Sequence, residues 1–235
     1  MRRRIVRRPR LGSLIGAAML AVVLVAAQVV SAGAQTTPVT VAVTSSLNPS
    51  TFGQSVTFNA SVSALGGLLG QGTVQFQVDG ANVGGAETVT ILSGSASYST
   101  SALGAGSHTV TANYTSTGGN GSGSLAGGQV VKKAATTLTL TSSANPAPVG
   151  SSVILTATVA VTAPGGGSPD GSVSFVTGNA SLGTVAIGGG KAYLTVYPDT
   201  LPGGTDSITA AYAGSSNYSG SSSSLSETVA GTGPG

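Results

Sequence analysis

Few side chains in this chain are equipped for chemistry. His108 is the only histidine, and there is no cysteine. General acid–base work needs a carboxylate or nucleophile converging on the imidazole. A second stretch of chain resembling the one around His108 carries Asp206 at the matching place, so imidazole is not required there. His108 therefore reads as a residue at the start of a strand. Serine and threonine abound, but a nucleophilic serine needs a base and an oxyanion hole. With one histidine and no G-x-S-x-G elbow, the hydroxyls read as wet strand faces that replace charge as the solubilising group.

The carboxylates beyond the N-terminal region are Asp79, Glu87, Asp170, Asp199, Asp206 and Glu227. They are scattered, mostly at expected turns. Asp79-Gly80 and Pro169-Asp170-Gly171 suit turn geometry, because Asp and Gly tolerate left-handed backbone. Calcium wants six to eight oxygens, usually with clustered carboxylates, and no such cluster is visible. Asp199 and Asp206 are the best contributors to any calcium ion lying between two modules. The expectation is no catalytic residue, no cofactor and no metal site. Asn-x-Ser/Thr triplets at Asn59, Asn113 and Asn179 arise readily by chance in so hydroxyl-rich a chain. Leu201-Pro202-Gly203-Gly204-Thr205 has the wrong order for a sortase signal and reads as a turn.

Two groups of residues are candidate contact surfaces. Lys191, Tyr193 and Tyr197 share the outward parity of one expected strand, and tyrosines on a sheet face can stack on sugars or anchor a partner. Leu65, Leu68 and Leu69 lie in one loop. They are either an apolar binding tip or leucines folded back over the end of the structure.

The formal charge of +3 points at first to nucleic acid. All six arginines, however, lie within the first ten residues. An apolar run from Leu11 to Val30 comes next, and then Ser31-Ala32-Gly33-Ala34. Basic, apolar and small-residue segments in that order make a secretory signal peptide over 1–34, with cleavage after Ala34. A run of roughly twenty apolar residues is also long enough for an uncleaved anchor. Arg2-Arg3 or Arg3-Arg4 permits a twin-arginine reading, though the remainder of that pattern is weak. Past Ala34 only Lys132, Lys133 and Lys191 stand against the six acids. A sparsely charged, weakly acidic protein has no footprint for phosphate backbones, so nucleic acid is excluded as a partner. The membrane enters only through the signal peptide.

The elements that hold these residues are written twice. Ser45-Ser46-Leu47-Asn48-Pro49 returns as Ser142-Ser143-Ala144-Asn145-Pro146, at an offset of 97 residues, and the downstream residues repeat in step. Val39, Val41 and Val43; Val56, Phe58, Ala60 and Val62; Val74, Phe76 and Val78; Ala96 and Tyr98; and Val110, Ala112 and Tyr114 each alternate with polar residues. That period of two marks half-buried strands. Gly-, Ser- and Asn-rich turns separate them, among them Asp79-Gly80 and Gly84-Gly85. The second copy keeps the faces: Leu138 and Leu140; Val153, Leu155, Ala157 and Val159; Val173 and Phe175; Ala192, Leu194 and Val196; Ile208, Ala210 and Tyr212. A slip of one residue would turn each set outward, so both copies share one register. The fold class is all-β: two tandem antiparallel sandwiches over 37–133 and 134–230, after a signal-peptide helix and before a disordered tail at 231–235. Without cysteine, stability must come from packing. Lys132-Lys133-Ala134-Ala135 is too short for a flexible coil, which limits hinge motion between the modules.

The pattern S-x-x-N-P-x-x-x-G-x-x-V, then G-x-V-x-F, then L-x-x-G-x-x-x-[IV]-T-A-x-Y resembles the bacterial Ig-like domain family of group 3 in both copies. The second copy adds Tyr212-Ala213-Gly214-Ser215-Ser216-Asn217-Tyr218. The first lacks the second aromatic in Tyr114-Thr115-Ser116-Thr117-Gly118-Gly119-Asn120. The resemblance implies Ig-like sandwiches on a secreted or surface bacterial protein, used as spacer, adhesin stalk or accessory domain. It supplies no catalytic residue. The expected function is non-enzymatic, structural or adhesive, at the cell envelope. The alternative is a carbohydrate- or protein-binding module whose partner, a cell-wall polysaccharide or a surface protein, meets Tyr193, Tyr197, Leu68 and Leu69.

Overall fold

The computed structural model describes residues 38–65, 71–90, 94–197, 200–201 and 203–230. The expected signal-peptide helix, Leu68, Leu69, Asp199 and the C-terminal tail lie outside the described residues. Among those described, every regular element is a strand.

Among the described residues the first module has ten strands: β1 Val39–Ser45, β2 Ser50–Thr51, β3 Val56–Ala64, β4 Gly72–Val78, β5 Ala81–Val89, β6 Ser95–Thr100, β7 Gly106–His108, β8 Val110–Ser116, β9 Gly121–Ser124 and β10 Gln129–Lys132. The second has eight: β11 Thr136–Ser142, β12 Ala147–Pro148, β13 Val153–Val161, β14 Ser172–Thr177, β15 Ala180–Ala186, β16 Lys191–Val196, β17 Gly204–Tyr212 and β18 Ser221–Ala230. One sheet of each module has three antiparallel strands, ordered β1-β3-β6 and β11-β13-β16. The opposing sheet of the second module is continuous, in the order β12-β18-β17-β14-β15. Its counterpart divides into β5-β4-β8-β9 and β2-β10-β7.

That division has a local cause. Thr111 faces Ser124 as Thr209 faces Ser224, and Gln129 faces His108 as Glu227 faces Asp206. Between those shared pairs the first module inserts two residues, in the segment Leu125-Ala126-Gly127-Gly128. Gly127 and Gly128 take φ of 74° and 69°, a left-handed backbone that glycine adopts without a Cβ penalty. The extra residues interrupt the ladder as a bulge does.

The alternation places the core. Val56, Phe58, Ala60 and Val62 are buried with Val74, Phe76, Val110, Ala112 and Tyr114 in one cluster. Val153, Leu155, Ala157 and Val159 are buried with Val173, Phe175, Ile208, Ala210 and Tyr212 in another. Two separate cores therefore arise from one repeated pattern.

The expected turn at Gly84-Gly85 is instead inside β5. Seven of the nine residues of that edge strand are exposed, so backbone pairing to β4 holds it and no apolar rhythm announces it. Gly84, at φ 64°, lies under the Tyr98 ring, where a Cβ would meet Tyr98 Cδ2 at 2.9 Å.

Candidate functional site

Three places concentrate the functional side chains: the junction between the modules, the outer end of the second module, and the polar crossing where β1 passes to β2 and β11 to β12.

At the junction β10 ends at Lys132, and Ala134 is already fully buried in the second core. The Ala134 N–H donates to Asn217 O at 2.9 Å, and Ala134 O accepts from Ser219 N at 2.9 Å. Phe52, in the turn after β2, packs edge-on against Tyr218, with ring centroids 5.3 Å apart. Gly166 N donates to Phe52 O at 3.1 Å, and the Tyr218 hydroxyl donates to Gly166 O at 3.2 Å. Burial, then the Asp170 carboxylate and the Tyr212 ring, raise the Tyr218 hydroxyl above the ordinary phenol range. The Ala105 N–H donates to Asn217 Oδ1 at 2.9 Å, and Lys133 Nζ donates to Ser215 O at 2.6 Å. The aromatic that the first copy lacks is thus a junction residue.

His108 sits beside this junction. Its Nδ1 is 2.8 Å from Asp79 Oδ2 and its Nε2 is 2.9 Å from Gly104 O. Both ring nitrogens face acceptors, so the imidazolium satisfies both. Burial pulls the His108 pKa down, but the Asp79 hydrogen bond, the Gly104 carbonyl and the Asp79 charge outweigh it, and the net direction is up. The His108 hydrogen bond, with that from Thr109 N, holds the Asp79 carboxyl below its ordinary value. The pair braces the turn whose Ala105 N–H reaches Asn217. It is a positioning device with no nucleophile attached.

At the outer end of the second module, Tyr197 is 69 % exposed and lines a cavity of about 220 Å³ with Ala147, Val149, Val196, Leu201 and Val229. Tyr193, 56 % exposed, stands on the flat outer face of β16 beside Lys191 and outside that cavity. The structure therefore puts the two expected tyrosines in different places. The sequence pattern did not single out Val149 and Ile154, both exposed. Ile154 faces outward from β13, opposite Thr195 on β16. Leu65 is 79 % exposed and does not fold back over the sandwich.

At the polar crossing, Glu227 is in mid-strand on β18 and fully buried. It pairs across the sheet with Asp206 on β17. The junction contacts do not include Asp206, which the sequence offered as a contributor to any calcium ion between the modules. Among the described residues no group of three or more His, Cys, Asp or Glu side chains converges on a metal position.

Several solved structures are similar to this chain. The fibronectin(III)-like modules of Clostridium thermocellum CbhA align at 16% identity over 80% of this chain and 94% of that one, with a TM-score of 0.33. The titin domains z1z2, crystallised with telethonin, align at 18% identity over 84% of this chain and 100% of that chain, with a TM-score of 0.39. The Yersinia pseudotuberculosis adhesin InvE aligns at 15% identity over 81% and 59%, with a TM-score of 0.41. No curated protein matches the chain. The family model for the bacterial Ig-like domain (group 3) matches residues 43–132 and again 140–230, and the chain belongs to that family.

Proposed function

We propose that this chain is a secreted, non-enzymatic structural or adhesive protein, a spacer or display module at the bacterial envelope. One observation carries the reading: the connection between modules is built into the fold. Ala134 is buried in the second core, and Phe52 of the first module is clasped by Tyr218 and Gly166 of the second. Such a connection limits the relative motion of the modules, as a spacer requires. The basic, apolar and small-residue order of residues 1–34 supports export.

The test has two parts. Native cells are fractionated and the mature N-terminus is sequenced; a start at Gln35 in the surface or medium fraction is the expected result. Small-angle scattering on the same protein should fit one fixed arrangement of the two modules. A cytoplasmic protein, or a broad distribution of arrangements, would overturn the proposal.

A second reading is favoured by the cavity that Tyr197 lines. In it, the second module binds a cell-wall polysaccharide or a surface protein through Tyr197 and Tyr193. Chemical-shift changes at both tyrosines on adding cell-wall polysaccharide, lost in Tyr197→Ser, would support it.

A further inference from the structure

The polar crossing exists twice, and the two copies differ in one respect. In the first module the fully buried Gln129 is saturated. Its Oε1 accepts from Ser45 Oγ at 2.7 Å, and its Nε2 donates to Leu47 O at 2.9 Å, Ser50 Oγ at 3.2 Å and Val130 O at 3.1 Å. The Asn48 side chain seals the niche, with Nδ2 donating to Gly128 O at 2.7 Å and Oδ1 accepting from Val130 N at 2.9 Å.

The second module reproduces the frame. Asn145 Nδ2 donates to Ser226 O at 2.6 Å, Asn145 Oδ1 accepts from Thr228 N at 3.0 Å, and Ser142 Oγ donates to Ala144 O at 3.1 Å. In place of the amide stands Glu227, fully buried, and neither of its carboxyl oxygens has a hydrogen-bond partner. Ala147 replaces Ser50, so a hydroxyl is also gone. The facing residue on β17, His108 in the first module, is here Asp206, whose Oδ2 is likewise buried without a partner. Where the Gln129 amide nitrogen brings two N–H donors to three carbonyl and hydroxyl oxygens, the second module brings more oxygen. A buried carboxyl group that lacks donors is neutralised by a proton, paired with a cation or bound to a metal.

We infer that Glu227 and Asp206 form a site for a hard divalent cation of the calcium class, with the Ala144 carbonyl, the counterpart of the Leu47 carbonyl that Gln129 reaches, as a third protein oxygen. Two carboxylates balance the charge of one such ion. All the donors are oxygens, the ligand set calcium prefers. Calcium also tolerates an irregular set of six to eight oxygens, whereas magnesium demands a near-ideal octahedron. The ion would take over the role of the Gln129 amide nitrogen, joining β17 and β18 to the crossing at Ala144. It would stabilise the second module alone.

The whole protein, stripped with EDTA, is melted by calorimetry with CaCl2, MgCl2 or NaCl added singly. The expected result is a rise in the second module's melting temperature that grows with the logarithm of calcium concentration, as for a ligand bound by the folded state. Magnesium should do less and sodium least. Isothermal titration should give one calcium per chain. Glu227→Gln, which rebuilds the first module's residue, should stay folded and lose the calcium response, and Asp206→Asn should weaken it. Should Glu227→Gln fail to fold, the stoichiometry on the native protein and the Asp206→Asn response decide the matter. Equal melting with calcium and with EDTA overturns the proposal, as does a calcium response that persists in Glu227→Gln.

Discussion

The turn after β2 and the turn after β12 are the same turn written twice, yet only one of them is covered. Gly53 and Gly150 both take left-handed backbone, at φ 85° and 76°. A Cβ on Gly53 would meet the Gly166 backbone at 2.6 Å, whereas one on Gly150 would meet nothing within 4 Å. Phe52 packs on Tyr218, while its counterpart Val149 is about half exposed and lines the cavity shared with Tyr197. The sandwich dictates the turn. Position in the array dictates whether an aromatic and a close backbone approach are added to it. An apolar end is therefore a property of the module, and a junction is that end once covered.

The largest effects test whether the two cores are separate. Phe76 and Phe175 occupy matching places on β4 and β14, and both are buried. Truncating either to Ala removes a ring from a packed core and should cost about 3–5 kcal/mol. Phe58→Ala, on β3, should cost a similar amount. Calorimetry should show the loss of one melting transition in each case, the first module's for Phe58 and Phe76 and the second's for Phe175. Unchanged melting would mean that the inward face is wrongly assigned.

The next effect separates turn from junction. Ala at either Gly53 or Gly150 must adopt a positive φ, a strain of about 1–2 kcal/mol. At Gly53 the methyl group also enters the Gly166 backbone. Gly53→Ala should therefore destabilise more than Gly150→Ala, and only Gly53→Ala should broaden the distribution of module arrangements in scattering. Equal effects would remove the distinction between the covered and the uncovered end.

A smaller effect reports the junction contact itself. In a double-mutant cycle, Phe52→Ala and Tyr218→Ala should couple by about 0.5–1.5 kcal/mol, the range for an edge-on aromatic pair. Tyr218→Phe should retain most of this and lose only the hydroxyl bond to Gly166 O. Additive single mutants would mean that the rings touch without supporting each other.

How far the sequence reveals this arrangement depends on the residue. The inward sets of β3, β4, β8, β13, β14 and β17 are legible because burial on one face forces a period of two. β5 is not, because most of an edge strand faces water and backbone pairing leaves no rhythm in the residues. Tyr218 stands out in the sequence as a difference between the copies. Its contact with Phe52 does not, since no periodicity encodes which end of one module meets the next. Glu227 passes for a scattered acid, although its parity with Leu225 and Val229 is a sign that it faces inward. Its meaning emerges only beside the saturated Gln129, which serves as a control.

The smallest effect is the pH dependence that the His108–Asp79 pair gives the first module. His108 and Asp79 are replaced in the second module by Asp206 and Gly178, so the charge pair exists once. The His108 pKa is raised on folding from 6.5. Its contribution is therefore fully present below about pH 6.5 and lost as pH rises through the raised folded value. The Asp79 pKa is lowered from 3.8, so its contribution is present above about pH 4 and lost as pH falls through the lowered folded value. Both are charged and paired between about pH 4 and 6.5. Asp79 is about half exposed, so solvent and salt screen the pair to about 1 kcal/mol or less. The first module should melt at a slightly lower temperature at pH 8 than at pH 5.5, and His108→Gln should flatten that slope. Titration by NMR should place the His108 midpoint above the ordinary histidine value, returning toward it in Asp79→Asn. An unshifted His108 in the native chain would remove the charged brace from beneath Gly104.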